Sequence, residues 1–289
     1  MPRLYKWILG VLVATLMTGC GVRYAYSQLD WLVPRYVRDY VTLDRVQRAE
    51  LDARLAERLQ WHCASELPAY SSFLRELDRS LLNGGVDGEE LVMFVTQAES
   101  LWFNLVVALA PDVSDLLATL DADQIVELAQ AFEKRNGKAR SEYLEPDEAE
   151  RQAQRVERME RRLRPWLGRM NAAQSEELGR WSASLLPTTE AWLENRMVWQ
   201  SRLLALLQEE RDPGVFRKSV TELLVAPDAG WPEDYRAAVE SNRDATLALF
   251  VRLFELADEP QRERLSRRLT SFAGQFDRLA CASTDSSRG

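Results

Sequence analysis

Residues 44–51 read DRVQRAEL. Asp44 can accept a hydrogen bond from a backbone N–H of a first helical turn, and Gln47, three residues on, can return one to the Asp44 N–H. Leu51, one turn later, opens an apolar stripe. The phrase is a helix start, and it recurs as DADQIVEL from Asp121, NAAQSEEL from Asn171 and DEPQRERL from Asp258. The starts lie 77, 50 and 87 residues apart, too unevenly for a solenoid of fixed period, so they read as shared helix grammar and not as a repeat array. Between them apolar residues fall three or four apart with almost no β-branched alternation. Breaks are expected at Pro34, Pro68, Asn83–Gly85, Pro111, Pro146, Pro165–Gly168, Pro187, Asp212–Gly214 and Pro227–Pro232. The expected fold is all-α, a single large bundle of nine or ten helices over residues 44–281, with 282–289 a disordered tail.

The opening MPRLYKWILGVLVATLMTGC places Arg3 and Lys6 before an apolar run, Trp7–Met17, that is too short to span a bilayer. Residues 1–19 therefore read as a cleaved signal peptide. Met17-Thr18-Gly19-Cys20 is similar to the bacterial lipobox, with Met17 in place of the usual leucine, and this implies acylation of Cys20. An ordinary signal peptide followed by a chance cysteine is the alternative. Gly21 follows Cys20, where an aspartate would mark retention in the inner membrane, so the expected address is the periplasmic face of the outer membrane. Removing the leader takes away two cations and no acid, leaving 270 residues with a net charge of −10. So acidic a chain is a poor candidate for nucleic-acid binding. Residues 20–43 read as a lipidated tether. Its segment RYAYSQLDWLVPRYVRDYVTL puts Leu29, Leu32, Val33, Tyr36, Val37 and Tyr40 on one helical side, to lie in the membrane interface or, the preferred reading, to dock on the domain.

The lipobox, the stretch YSQLDWLVPRYVRDYVTLDRVQRAELDARL, the phrase WHCASELPAY and the later Gln-led starts together resemble an uncharacterised family of Gram-negative bacterial lipoproteins. The resemblance implies an all-helical periplasmic domain of unknown function, and its motifs are structural phrases.

With one histidine, no CxxC and no HExxH, the sequence offers no metal site, and it carries no Gly-rich phosphate loop; no cofactor is expected. Glu99-Ser100 looks like the start of a lytic transglycosylase motif, but Leu101 follows and the downstream Gly-Leu-Met-Gln phrase is missing. If Cys20 carries lipid, Cys63 and Cys281 remain in an oxidising compartment and are expected to pair, two buried free thiols being the alternative. If their helix starts share a layer, the first and last long helices would run parallel with the cysteines about one turn apart. The last helix must then end or bend at Cys281, which sits off its own apolar stripe.

Two groups of side chains remain as candidate sites. Asp52, His62, Asn136, Arg196 and Asn242 fall in or beside apolar stripes. Buried polar groups cost on the order of 1–3 kcal/mol when unpaired, so these five should pair in a structural network or line a wet cavity. Arg151, Arg155, Arg158 and Arg162 form a ridge that could grip phosphates or carboxylates, or pair with Glu148, Glu150, Glu157 and Glu160 on a solvated face. The function expected is noncatalytic, a membrane-anchored envelope adaptor or ligand-binding lipoprotein with an envelope protein or glycan as partner. The alternative is a peptidoglycan-directed enzyme using carboxylates in a helical cavity. Two carboxylates facing each other across a pocket would favour the enzyme, and a broad exposed apolar patch the adaptor.

Overall fold

The computed structural model describes residues 21–83, 86–209 and 212–281; the leader, Cys20 and the tail 282–289 lie outside them. In chain order the helices are α1 (Gly21–Tyr26), α2 (Leu29–Arg38), α3 (Arg45–Trp61), a π turn (His62–Glu66), α4 (Leu67–Leu82), α5 (Gly88–Ala118), α6 (Ala122–Tyr143), α7 (Glu148–Leu167), α8 (Ala172–Ser184), α9 (Thr189–Gln208), α10 (Pro213–Val225), α11 (Glu233–Glu255) and α12 (Glu259–Leu279). With α3, the π turn and α4 counted as one rod there are eleven helices and no strand among the described residues, an all-α fold. Three expected breaks do not occur: Pro34 and Pro111 lie inside α2 and α5, and at Pro68 the rod runs on through the π turn into α4; the break expected over Pro165–Gly168 falls at Gly168, where α7 ends. At Pro111 the neighbours Ala110 and Ser114 are fully buried, so packing on both sides offsets the lost backbone bond.

All four Gln-led phrases form complete capping boxes that begin α3, α6, α8 and α12. They are not independent. Gln47 Nε2 donates to Gln124 Oε1 at 2.9 Å and Gln124 Nε2 donates back to Gln47 Oε1 at 2.7 Å. Gln174 and Gln261 exchange the same pair of bonds at 3.0 and 2.9 Å. Each amide spends its remaining proton on a carbonyl near the partner's cap: Gln47 on Thr119, Gln124 on Thr42, Gln174 on Leu253 and Gln261 on Arg169. Each Oε1 also accepts its own cap N–H. Two buried clasps thus hold the helix starts in pairs.

The clasps expose a duplication that the uneven spacing conceals. The helices α2–α6 correspond in order to α7, α8, α9, α11 and α12, with α10 inserted. The first clasp residues are 127 apart between copies (Asp44 and Asn171) and the second 137 (Asp121 and Asp258). The packing follows the correspondence: α2 lies on α3 as α7 lies on α8, and α3 meets α5 as α8 meets α11. The copies exchange one helix each, α4 packing along α12 and α9 along α6, while α5 and α11 meet each other. The shared grammar is therefore a repeat after all, of two units and not of a solenoid. One core gathers around Val41, Leu128, Leu203 and Val220, and the other around Met159, Leu178, Leu249 and Leu253.

Cys63 and Cys281 are joined, with Cα atoms 5.2 Å apart. α12 ends at Leu279 and Ala280 turns extended, which carries Cys281 off the helix. The parallel arrangement expected of α3 and α12 does not occur: their starts belong to different clasps, and α3 continues through the π turn into α4. The partner of α12 is α4, and it runs antiparallel: Tyr70 meets Phe276 and Ser71 Oγ donates to the Ala273 carbonyl at 3.0 Å. Val41 is buried in the first core and α2 packs on α3.

Glutamate serves as well as glutamine in a solitary capping box. At Gln174, which has no exposed surface, Gln174→Glu removes both donors and buries a charge against the Leu253 carbonyl. Urea unfolding should show a loss of about 2 kcal/mol or more; a neutral substitution would mean that the amide pair contributes nothing.

Candidate functional site

The inward side of α2 is held at both ends. Tyr26, just before it, donates from its hydroxyl to the Leu59 carbonyl, and the Thr42 N–H and hydroxyl, just after it, both donate to the Glu127 carboxylate at 2.7 Å. Arg135 lies 3.9 Å over the Tyr40 ring. Burial, reinforced by the 3.0 Å bond to the Tyr40 hydroxyl, pushes the Tyr36 phenol up to about 12. The tether thus docks, as preferred, although Tyr24 and Trp31 remain exposed.

Beneath α2 is a cavity of about 510 Å³. Val33, Val37 and Tyr40 roof it, Leu51 and Leu55 of α3 and Val113 and Leu116 of α5 form its sides, and Trp199, Leu203 and Leu224 close the far end. Its polar members, apart from the roof tyrosines and the Trp199 N–H, are Glu50, Arg54, Arg58 and Asp112. These form an ion-pair lip. Arg54 reaches Glu50 at 3.0 Å, Asp112 at 3.1 Å and Asp115 at 3.3 Å, while Arg58 binds Asp112 and Arg217 binds Asp115. Burial pushes the Asp112 carboxyl up, but the hydrogen bonds from Arg58 and Arg54 outweigh it and hold it below the usual carboxylate range. The Trp199 N–H is taken by the Leu223 carbonyl. Such a cavity takes up an apolar group by desolvation, and its acids are paired with arginine.

Arg54, Arg58 and Asp112 are not among the residues that the apolar stripes single out. Asp112 and Asp115 are the only charges between Ser100 and Ala118, and Arg54 and Arg58 are one turn apart on the facing helix. That pattern was the available signal.

The five inward polar candidates are dispersed. Asp52 is an exposed partner of Arg48 at 2.9 Å. Asn136 donates to Gln200 Oε1 at 2.6 Å across the α6–α9 seam, with its own Oδ1 buried and unpaired. Arg196 stacks on Trp192 and lines a shallow groove with Asn195, Trp231 and Tyr235. Asn242 clamps both the N–H and the carbonyl of Leu186. His62 stacks on Tyr26, which bonds its Nδ1 at 3.2 Å, and meets the Tyr70 edge. No common cavity gathers them, because the helices that carry them belong to different seams. The buried polar side chains that the stripes did not reveal, Glu66, Asp78 and Gln275, lie on the π turn, α4 and α12, and each has an oxygen without a partner among the described residues.

The arginine ridge is largely spent within the chain. Arg155 and Arg151 both bind Glu148, and these bonds, Arg155's first, hold its carboxyl at about 2. Arg151 also donates to the Pro146 carbonyl and Arg155 to Ser182, while Arg158 lies over Tyr143. Arg162 is exposed. Glu99 pairs with Arg243 on the outer surface, away from any cleft among the described residues.

The most apolar helix, α5, is long and apolar enough to cross a membrane. It leaves Val92, Met93, Phe103 and Val107 exposed along one side, with Trp102 beside them at 67% exposure.

Residues 39–236 match a family of unknown function (DUF6279), and the chain belongs to it. No curated protein and no solved structure matches.

Burial lowers the His62 pKa. The unfolded state then binds its proton more readily, from about 6.5 downward. The contribution of neutral His62 is present above that value and lost as pH falls through the folded pKa. Stability measured between pH 7.5 and 5.5 should therefore decline less in His62→Gln than in the wild type. The single imidazole should titrate below 6.5 by NMR, and titration above 6.5 would contradict the burial.

Proposed function

From a chain of a family without assigned function, we propose a membrane-tethered, noncatalytic ligand-binding lipoprotein of the periplasm. In this reading Cys20 carries lipid and holds the domain at the periplasmic face of the outer membrane, and the cavity beneath α2 receives an apolar ligand. The observation that carries it is the cavity itself: about 510 Å³ with almost entirely aliphatic and aromatic walls, in the size range of ligand pockets. Buried side chains normally close such space, and an empty apolar cavity of this size forgoes the contacts that filling it would supply. The enzyme alternative loses ground on the same geometry. At the lip Asp112 is held below the usual carboxylate range by Arg58 and Arg54, and Glu148, held at about 2, is far too acidic to donate a proton near neutral pH.

The α5 surface supports a second reading, that of an envelope adaptor. Met93, Trp102, Phe103 and Val107 are all exposed on this one helix, and exposed apolar side chains grouped in this way suit a partner protein or the membrane interface.

Two measurements test the main reading. Cys20→Ala should move the protein out of the membrane fraction and abolish incorporation of labelled palmitate; retention in the membrane would remove the tether. Saturating naphthalene should raise the Tm of the full-length protein held in nanodiscs, and Leu55→Trp should cancel the rise. No rise in the wild type would remove the ligand-binding claim.

A further inference from the structure

The duplicated fold contains its own control for the cavity. The second copy has a counterpart, lined from α7, α11, α12 and α4 with Val86 and Leu91 but with no residue of α8, the counterpart of α3, and its volume is about 230 Å³ against about 510 Å³ in the first. Counting from the clasps, Leu116 corresponds to Leu253, Leu128 to Leu265 and Tyr40 to Leu167, and all six line their respective sites. The two sites are therefore equivalent positions of one architecture.

They differ in what lines them. Val113 in the first copy is Phe250 in the second, and Leu117 is Phe254. At the lip, Asp112 corresponds to Leu249, which is 4% exposed, and Arg54 corresponds to Trp181, which packs on the same core. The second copy lines its site with Phe250 and Phe254 and places Leu249 and Trp181 in its core, where the first has shorter side chains and a lip of paired ions. The same architecture thus leaves less than half the volume in the second copy.

Resting on the ligand-binding reading, we infer that the first-copy cavity holds a single linear acyl chain with its head group at the Arg54–Arg58–Asp112 lip. The cavity follows the chain from Val33 in α2 to Val41 just beyond it, and from Leu109 in α5 to Leu120 just beyond that, about 12–16 Å at roughly the helical rise. Divided into its volume this gives a section of roughly 30–40 Å², one hydrocarbon chain abreast. A peptide does not suit it, because the walls offer almost no partner for a buried backbone N–H or C=O. At the mouth every Arg54 nitrogen is held by Glu50, Asp112 or Asp115 and two of Arg58's by Asp112, so a carboxylate or phosphate head group would be taken by exchange with these carboxylates. A fatty acid and a phospholipid share this chemistry.

The test uses the full-length protein in phosphatidylcholine nanodiscs and a palmitoyl chain bearing a diazirine, offered as the free acid in one arm and within phosphatidylglycerol in the other. Irradiation should label peptides of α3 and α5 that line the cavity, and excess unlabelled chain should compete. Labelling by the acid alone identifies a fatty acid as the source; labelling by the lipid identifies a phospholipid. Val113→Phe with Leu117→Phe, which copies the second site, should reduce labelling at least tenfold with Tm equal to or above that of the wild type. If the double variant is less stable, competition on the wild type still decides. The inference is overturned if neither probe labels these peptides, if labelling survives the double variant, or if unlabelled chain does not compete. Naphthalene binding without acyl labelling would sink this inference and leave the ligand-binding reading standing.

Discussion

A primary amide buried without water has two protons and two acceptor positions to satisfy, and here two glutamines facing each other satisfy all of them. Gln47 and Gln124 give each other one bond in each direction, take one from their own caps and give one to a carbonyl near the partner cap; Gln174 and Gln261 do the same. Only a side chain that is both donor and acceptor can do this, which is why the third helical position is glutamine in all four boxes and glutamate in none. A fully satisfied buried network specifies one arrangement, since any slip strands several groups at once.

From that constraint the rest of the architecture follows. Each clasp fixes two helix starts against each other, and the two copies then exchange α4 and α9, so neither copy has a complete set of packing partners alone. The Cys63–Cys281 bond fastens the end of the chain to the π turn on the exchanged side. The second copy lines a smaller cavity with Phe250 and Phe254. The first keeps a hollow beneath α2, the helix next to the proposed lipid attachment, and ion pairs stand at its mouth. Function in this account lies in the difference between two otherwise equivalent halves.

Much of the fold was legible in the sequence. The caps, the all-helical pattern and the departure of Cys281 from its helix follow from local rules that the structure also obeys. The pairing of the boxes was not visible from spacing, because the copies differ by an inserted α10 and by the lengths of α3 and α8, which blur any fixed period. The useful signal was chemical: four glutamines where glutamate would serve a lone cap equally well. Proline misled at Pro34 and Pro111, which lie inside helices, while the break over Pro165–Gly168 falls at its glycine. The candidate site was nearly illegible. Wheel positions cannot say which seam a helix faces, so Asp52, Arg196 and Asn242 looked inward together yet lie in separate places. A cavity is a deficit of volume between helices distant in sequence, and only the comparison of Val113 with Phe250 shows that its size is a property of one copy.

The clasps can be observed directly through their own protons. In a ¹⁵N-labelled sample, solvent exchange of the side-chain NH₂ groups of Gln47, Gln124, Gln174 and Gln261 reports whether they are buried and bonded. The account predicts that all four exchange only as fast as the whole domain unfolds. Exchange at the rate of the exposed Gln208 would contradict it.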